Sequence, residues 1–356
     1  MDCVERLKEK LKKDKVGGLL ITNEINIRYV TGFTGSESIV LITPRNDYLF
    51  TDFRYVEQAR QDVSWVKVIE KKVSLISAIC KKLKQLNIKK LYIESLHLSL
   101  SRYNEIRKHT RGIQLLPTQG IVESYRKRKT QDEIRKIQIS IDIAEKAFSL
   151  LRKKIRPGMT EKNVAGILEY EMRNLGAEKS SFDIICAVDK HASQPHALNR
   201  DTKIQKKSAV LLDWGARFQF YNSDLTRICP MDRISSRFKR IYQIVLDAQR
   251  FAIESIKPGI KAKDVDAMAR GYIEKSGFGR NFGHGLGHGI GLEVHEGPAI
   301  NKTSKEILEE GMVFTVEPGI YIPEWGGIRI EDMVLVTPHG CDVLSRIPKE
   351  LSEIAI

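Results

Sequence analysis

Two stretches of the chain, 101 residues apart, repeat one another. Residues 155–177 read IRPGMTEKNVAGILEYEMRNLGA, and residues 256–278 read IKPGIKAKDVDAMARGYIEKSGF. Each has a Pro-Gly turn (Pro157-Gly158, Pro258-Gly259), then helical spacing, then a glycine stop at Gly176 or Gly277. Pro-Gly, helix and Gly are common punctuation taken singly. The equal lengths and the shared Ile, Lys and Val positions favour duplication. Each copy follows a helical span and precedes strand-like segments. A duplicated α-then-β half implies a pseudo-two-fold domain, with a site where the halves meet.

The region before the repeat has a different pattern. Residues 16–22 (VGGLLIT) and 38–43 (SIVLIT) are short apolar runs bounded by turn signals, hence strands. Residues 74–86 have helical spacing, and 91–93 resemble another strand. The charged stretch 124–132 (SYRKRKTQD) reads as a linker into a long helix at 133–153. The expected domains are therefore 1–125, an α/β unit, and 126–356, the duplicated one.

With 356 residues the chain is long enough for two buried cores. No stretch approaches the roughly 20 apolar residues that span a bilayer, so no membrane association is expected. The N-terminus, MDCVERLKEKLKKDK, has no apolar signal region. The five cysteines are odd in number and scattered, which fits reduced thiols in a cytoplasm. The net charge is +14, with basic clusters at 81–90 and 126–136. Basic stripes can bind nucleic acid. No aromatic-basic motif accompanies these, so solvated helix faces are expected instead.

Four constellations carry chemistry. In the first, an apolar strand runs into Asp213 (VLLDWGA), and Asp224 follows eleven residues later. Two antiparallel strands would bring such carboxylates together. The second is HGLGHGIGLEVHE, which holds His284, His288 and His295 among glycines that let backbone approach closely. Imidazole suits borderline divalent metals and can donate hydrogen bonds to oxyanions. The third is FTVEPGIY, a β-branched strand ending in Glu317, with Tyr321 beyond a turn. The fourth is GGIRIED, where alternation places Arg329 and Glu331 on one face of one strand. A carboxylate facing an apolar interior needs a partner, either a metal or a salt bridge such as one with Arg329. Together, acids and histidines on strand ends and glycine-rich turns form a typical hard-donor dinuclear set.

At these residues the chain resembles the pita-bread metallopeptidases, and within them the Xaa-Pro aminopeptidase and prolidase branch. NIRYVTGFTGS and TDFRY are similar to that branch's N-terminal domain. Pro195-His196, DWGA…SDLTR, HGLGHGIGLEVHE, TVEPGIY and GIRIED are similar to its catalytic domain. The resemblance implies an α+β fold, with an N-terminal creatinase-like α/β domain and a C-terminal pita-bread domain of pseudo-two-fold halves. It implies five metal ligands, Asp213, Asp224, His288, Glu317 and Glu331, with Asp224 and Glu331 bridging two ions. His284 and His295 would face substrate, His196 would sit across the cleft, and Tyr321 and Arg329 would orient the ligating loops or the peptide. It also implies a homodimer or higher assembly.

The implied reaction is hydrolysis of the bond before a proline in second position, by a hydroxide shared between two divalent ions ~3.5–4 Å apart. His284 or His295 would stabilise the oxyanion. Glu317 is the candidate for taking the water's proton. His196, His295 and Tyr321 are candidate walls for the proline, with Thr226 and Thr315 supporting the ligands. The oxygen-rich set suits Mn²⁺, with Co²⁺, Zn²⁺ and Fe²⁺ as alternatives.

The alternatives are a prolidase restricted to dipeptides, a methionine aminopeptidase, which the long N-terminal domain disfavours, and a non-catalytic binding or scaffold protein. Archaeal-type prolidases carry an arginine just after His-Glu-x-Pro. Ala299 stands there, which favours the aminopeptidase. Two further departures from the family pattern, Asp189-Lys190 before His196 and Lys206-Lys207-Ser208 before the Asp213 strand, bear on substrate entry and loop geometry.

Overall fold

The computed structural model describes residues 3–232 and 235–356. The chain divides into two compact units, residues 1–126 and 127–356. The first is a six-stranded sheet between two layers of helices. Its strands are β1 (Gly18–Ile21), β2 (Ser38–Ile42), β3 (Tyr48–Thr51), β4 (Lys67–Glu70), β5 (Lys90–Glu94) and β6 (Gln114–Thr118), in the order β4-β3-β2-β1-β5-β6. The four residues of β1 are all buried, because helices cover both sheet faces. Helices α1 (Cys3–Asp14), α2 (Glu24–Thr31) and α3 (Val56–Asp62) pack on one face through Leu7, Leu11, Ile27 and Ala59. Helices α4 (Leu75–Gln85) and α5 (Leu100–His109) cover the other through Ile79, Leu83 and Ile106.

The expected linker at 124–132 is more ordered than its composition implies. It begins inside a short helix, α6 (Glu123–Arg126). Lys129 N then donates to Gly311 O, and its Nζ lies 2.9 Å from Glu296 Oε1 with both side chains buried. These charges are partnered rather than solvated, a tertiary context that local polarity does not reveal. Thr130 next forms a capping box with Glu133 and starts α7 (Gln131–Arg152).

The second unit displays the repeat. Helices α8 (Glu161–Asn174) and α10 (Ala262–Lys275) each have 14 residues and sit at the same offset as the sequence copies. Gly158, Gly176, Gly259 and Gly277 all have positive φ, which is why the turn and stop positions carry glycine. Helix α9 (Ser236–Ser255) precedes α10 as α7 precedes α8.

After α8 come β7 (Lys179–Ser180), β8 (Ile185–Val188), β9 (Ala209–Trp214), β10 (Ala216–Phe218), β11 (Tyr221–Asn222) and β12 (Leu225–Pro230). After α10 come β13 (Gly287–Gly289), β14 (Glu296–Ile300), β15 (Val313–Val316), β16 (Gly319–Ile322), β17 (Gly326–Arg329) and β18 (Asp332–Thr337). β9 pairs antiparallel with β12, and β15 with β18. One core, including Trp214 stacked on Phe148, underlies both halves.

Candidate active site

The two antiparallel pairs place carboxylates at matching positions. Asp213 lies near the end of β9, opposite Thr226, and Asp224 immediately precedes β12. Glu317 immediately follows β15, and Glu331 immediately precedes β18. The halves are joined at this point, where Glu331 N donates to Thr226 O, and within the second half the buried Gln249 amide donates to Val316 O and Ile330 O. GGIRIED is not one continuous strand, as alternation had implied. β17 ends at Arg329 and β18 starts at Asp332, so Glu331 sits at the break, free of ladder geometry on either side.

His288 lies in the middle of β13, between β14 and β15. A Cβ on Gly287 would stand 1.9 Å from Thr315 O, so only glycine permits this approach. His288 Nδ1 faces its own strand's Gly289 O at 3.2 Å. That acceptor places the proton on Nδ1 and turns the Nε2 lone pair toward the acids. Nε2 is 3.6 Å from Asp224 Oδ2 and 3.4 Å from Glu317 Oε1. Single donor atoms of Asp224, His288 and Glu331 all lie within 4.8 Å of one another. Asp213 and Glu317 lie outside that tight trio but line the same cavity, which has a volume of about 1010 Å³.

The electrostatics suit a cation. Burial pushes Asp224 well above the usual carboxylate range, and Glu331 and Asp213 beside it push it further. Burial does the same to Glu331, reinforced by Glu317, and lifts Glu317 to about 8. Burial lowers His288 to about 4, so it presents neutral imidazole. Asp213 Oδ1 and Glu331 Oε1 are buried without a hydrogen-bond partner among the described residues. Unpaired anionic oxygens of this kind are costly unless a divalent ion binds them. The residues therefore fit a metal. The remaining carboxylate oxygens are oriented by neighbours: Thr226 Oγ1 donates to Glu331 Oε2 at 2.6 Å, Thr315 Oγ1 to Glu317 Oε1 at 3.2 Å, and Arg329 Nη2 to Asp213 Oδ2 at 2.6 Å.

Two expected roles change in this geometry. Tyr321 is not a wall of the cavity. It is buried behind it, where its hydroxyl accepts from Arg329 Nη1 at 2.9 Å. That oxygen then donates to His284 Nε2 at 2.9 Å, while His284 Nδ1 donates to Gly285 O at 2.8 Å. Both His284 nitrogens are thus engaged, and burial holds the ring neutral by lowering it to about 4. It has no N–H left to offer an oxyanion. His295 differs. It lines the cavity with its ring 4.2 Å from that of His288, and its ring nitrogens have no hydrogen bond among the described residues. His196 lines the cavity from the segment after β8. Arg329 also borders it but is bound to Asp213, Thr226 and Tyr321, which makes it an orienting group.

The Asp189-Lys190 departure resolves into separate parts. Asp189 accepts from Ser208 Oγ at 2.7 Å and Ala209 N at 2.8 Å, tying its segment to β9. Lys190 faces solvent opposite Glu324. Sequence reasoning missed Arg227, fully buried and 2.7 Å from Asp332, beneath Glu331. The acid directly after Glu331 in GIRIED was its only signal.

Residues 135–338 match metallopeptidase family M24, and residues 4–128 match the creatinase/prolidase N-terminal domain. The chain is similar to the Xaa-Pro dipeptidase of Pyrococcus horikoshii, at 36% identity over 349 residues covering 98% of each chain. Among solved structures it is similar to an Xaa-Pro dipeptidase from Bacillus anthracis, with 40% identity, a TM-score of 0.96 and 99% of both chains covered. It is also similar to an X-Pro aminopeptidase from Thermotoga maritima MSB8, with 38% identity, a TM-score of 0.92 and 100% of both chains covered.

Proposed function

The chain belongs to metallopeptidase family M24, and from that premise we propose that it releases the first residue of peptides whose second residue is proline. The observation that carries this reading is the convergence of Asp224, His288 and Glu331, with unpaired buried oxygens on Asp213 and Glu331, in a cavity large enough for a peptide. Asp213, Asp224, His288, Glu317 and Glu331 would hold two divalent ions. The oxygen-rich donor set favours Mn²⁺ over Co²⁺, Fe²⁺ or Zn²⁺. When bound, such ions act as Lewis acids that make water acidic enough to attack near neutral pH.

The chain's own residues supply the rest. Thr315 occupies one oxygen of Glu317, which leaves the other to take a proton from water and return it to the leaving nitrogen. His295 is the donor available to the carbonyl oxygen. A tertiary amide before proline has no N–H, so a wall of imidazole rings from His196 and His295 accepts it without leaving a polar group unpaired.

An aminopeptidase is favoured over a dipeptidase by Ala299. It faces His288 across the β13–β14 ladder, lines the cavity, and offers no cation to a dipeptide's carboxylate. The Xaa-Pro dipeptidase similarities keep the second reading in view. Hydrolysis of Gly-Pro against Gly-Pro-Ala with added Mn²⁺ separates them. Faster cleavage of the tripeptide is expected, and cleavage confined to the dipeptide would overturn the aminopeptidase assignment. The five free cysteines fit a reducing cytoplasm, and a homodimer is read from the family pattern, to be measured by light scattering.

A further inference from the structure

The segment bearing His196 has no backbone ladder to hold it. Residues 194–200 form neither helix nor strand, and His196 and Leu198 are exposed. Yet Pro195, His196, Ala197, Leu198 and Asn199 all line the cavity. A loop that must present an imidazole to substrate needs its backbone polar groups satisfied by something else.

Besides Asp189, which ties the segment to β9, a second carboxylate does this at both ends of the segment. Glu161, the first residue of α8, is wholly buried. Its Oε1 accepts from Val188 N at 2.9 Å, where the segment leaves β8, and its Oε2 accepts from Arg200 N at 2.7 Å, where the segment ends. Between these points, His191 Nδ1 lies 2.8 and 3.0 Å from the two oxygens. An ionised carboxylate only accepts, so Nδ1 carries the proton. The α8 N-terminus adds a favourable dipole for the negative charge.

Three donors of a thirteen-residue stretch, two of them at its ends, thus converge on a single side chain. Two further ties point the same way. Asn199 Oδ1 accepts from Cys186 N at 2.7 Å, and its amide donates to Ile184 O at 2.8 Å. The middle of the segment lies on β17, where a Cβ on Gly327 would stand 2.0 Å from Ala192 O.

We propose that Glu161 is a positioning residue for peptide hydrolysis: it clamps the 188–200 segment so that His196 is held at the cavity wall. This rests on the Xaa-Pro reading above. Glu161 touches neither substrate nor the proposed ligands. Its substitution should therefore leave metal binding intact while misplacing His196.

The test is a double-mutant cycle on metal-loaded full-length protein, with Gly-Pro-Ala as substrate. Glu161→Gln replaces one acceptor oxygen with an NH₂ that opposes one of the two backbone donors. It should lower kcat/KM on the order of 10²-fold, as an ångström-scale displacement does. Metal content by elemental analysis should equal the parent's. In a His196→Ala background the same change should cost no more than about 2-fold, since coupled residues are non-additive. Equal losses in both backgrounds would overturn the proposal, as would parent-like activity of Glu161→Gln. His191→Asn, which spares the Val188 and Arg200 bonds, should fall in the same direction by less, and serves should Glu161→Gln fail to fold. Amide hydrogen exchange at Val188 and Arg200 reads the clamp without catalysis. Protection in the parent and its loss in Glu161→Gln is expected, and unchanged exchange in that variant would overturn the clamp. A parent protein inactive on every Xaa-Pro peptide would instead refute the functional reading, with the exchange result still deciding the clamp.

Discussion

His295 and His284 are separated by ten residues in one glycine-rich block, yet their chemistry diverges because of what each ring touches. His284 spends both nitrogens on Gly285 and Tyr321, whereas His295 keeps its ring for the cavity. His295→Phe should therefore reduce kcat on the order of 10²–10³-fold, the usual cost of one oxyanion donor. Steady-state kinetics on Gly-Pro-Ala check this, and a loss below about 3-fold would place the donor elsewhere.

Glu317 carries a pH prediction for metal-free protein. Burial raises it from 4.5 to about 8. A raised carboxylate stabilises the fold fully below its unfolded value, and that contribution is lost as pH climbs through the folded one. Without metal, the unfolding midpoint should fall between pH 4.5 and about 8. Added Mn²⁺ should restore it most at the upper end. A metal-free midpoint that rises over this range contradicts the carboxylate cluster. At this scale the sequence exposes the acids and histidines but not their partners. Glu161 reads as an ordinary acid in a helix's first turn, and only the tertiary fold reveals the three donors it collects.

At the level of elements, the repeat was the most legible feature. Glycine at positive φ leaves an unambiguous trace, and two 14-residue helices appear at the spacing the copies predict. In the first unit β1, β2 and β5 were legible as short apolar runs between turn signals, whereas β3, β4 and β6 were not. What escaped notice was where strands stop. GIRIED alternates perfectly, but its break at Ile330 and Glu331 depends on pairing with different neighbours, β16 on one side and β15 on the other. Beneath that break, Arg227 bonds Asp332 and the carbonyls of Thr226, Glu331 and Ile347, bracing β12 against β18. Asp332→Asn should destabilise by about 3–5 kcal/mol, because it leaves a buried cation without its anion. Urea denaturation measures this, and a cost under about 1 kcal/mol would show that the brace is dispensable.

For the whole molecule, the net charge of +14 says less than its placement. Within the basic 126–136 stretch, Lys127, Arg128, Lys129 and Lys136 each pair with an acid of their own unit. Lys129 is buried in its pair, whereas Arg128 keeps an exposed side chain, and Asp213, Asp224, Glu317 and Glu331 line one cavity in the duplicated unit. Gly-Pro-Ala hydrolysis should be followed as Mn²⁺ is titrated into metal-stripped protein, with the parent and Asp224→Asn side by side. The parent should gain activity in step with up to two bound ions per chain while the variant stays inactive. Full activity without metal, or equal rates for the two proteins, would contradict a dinuclear site built on Asp224.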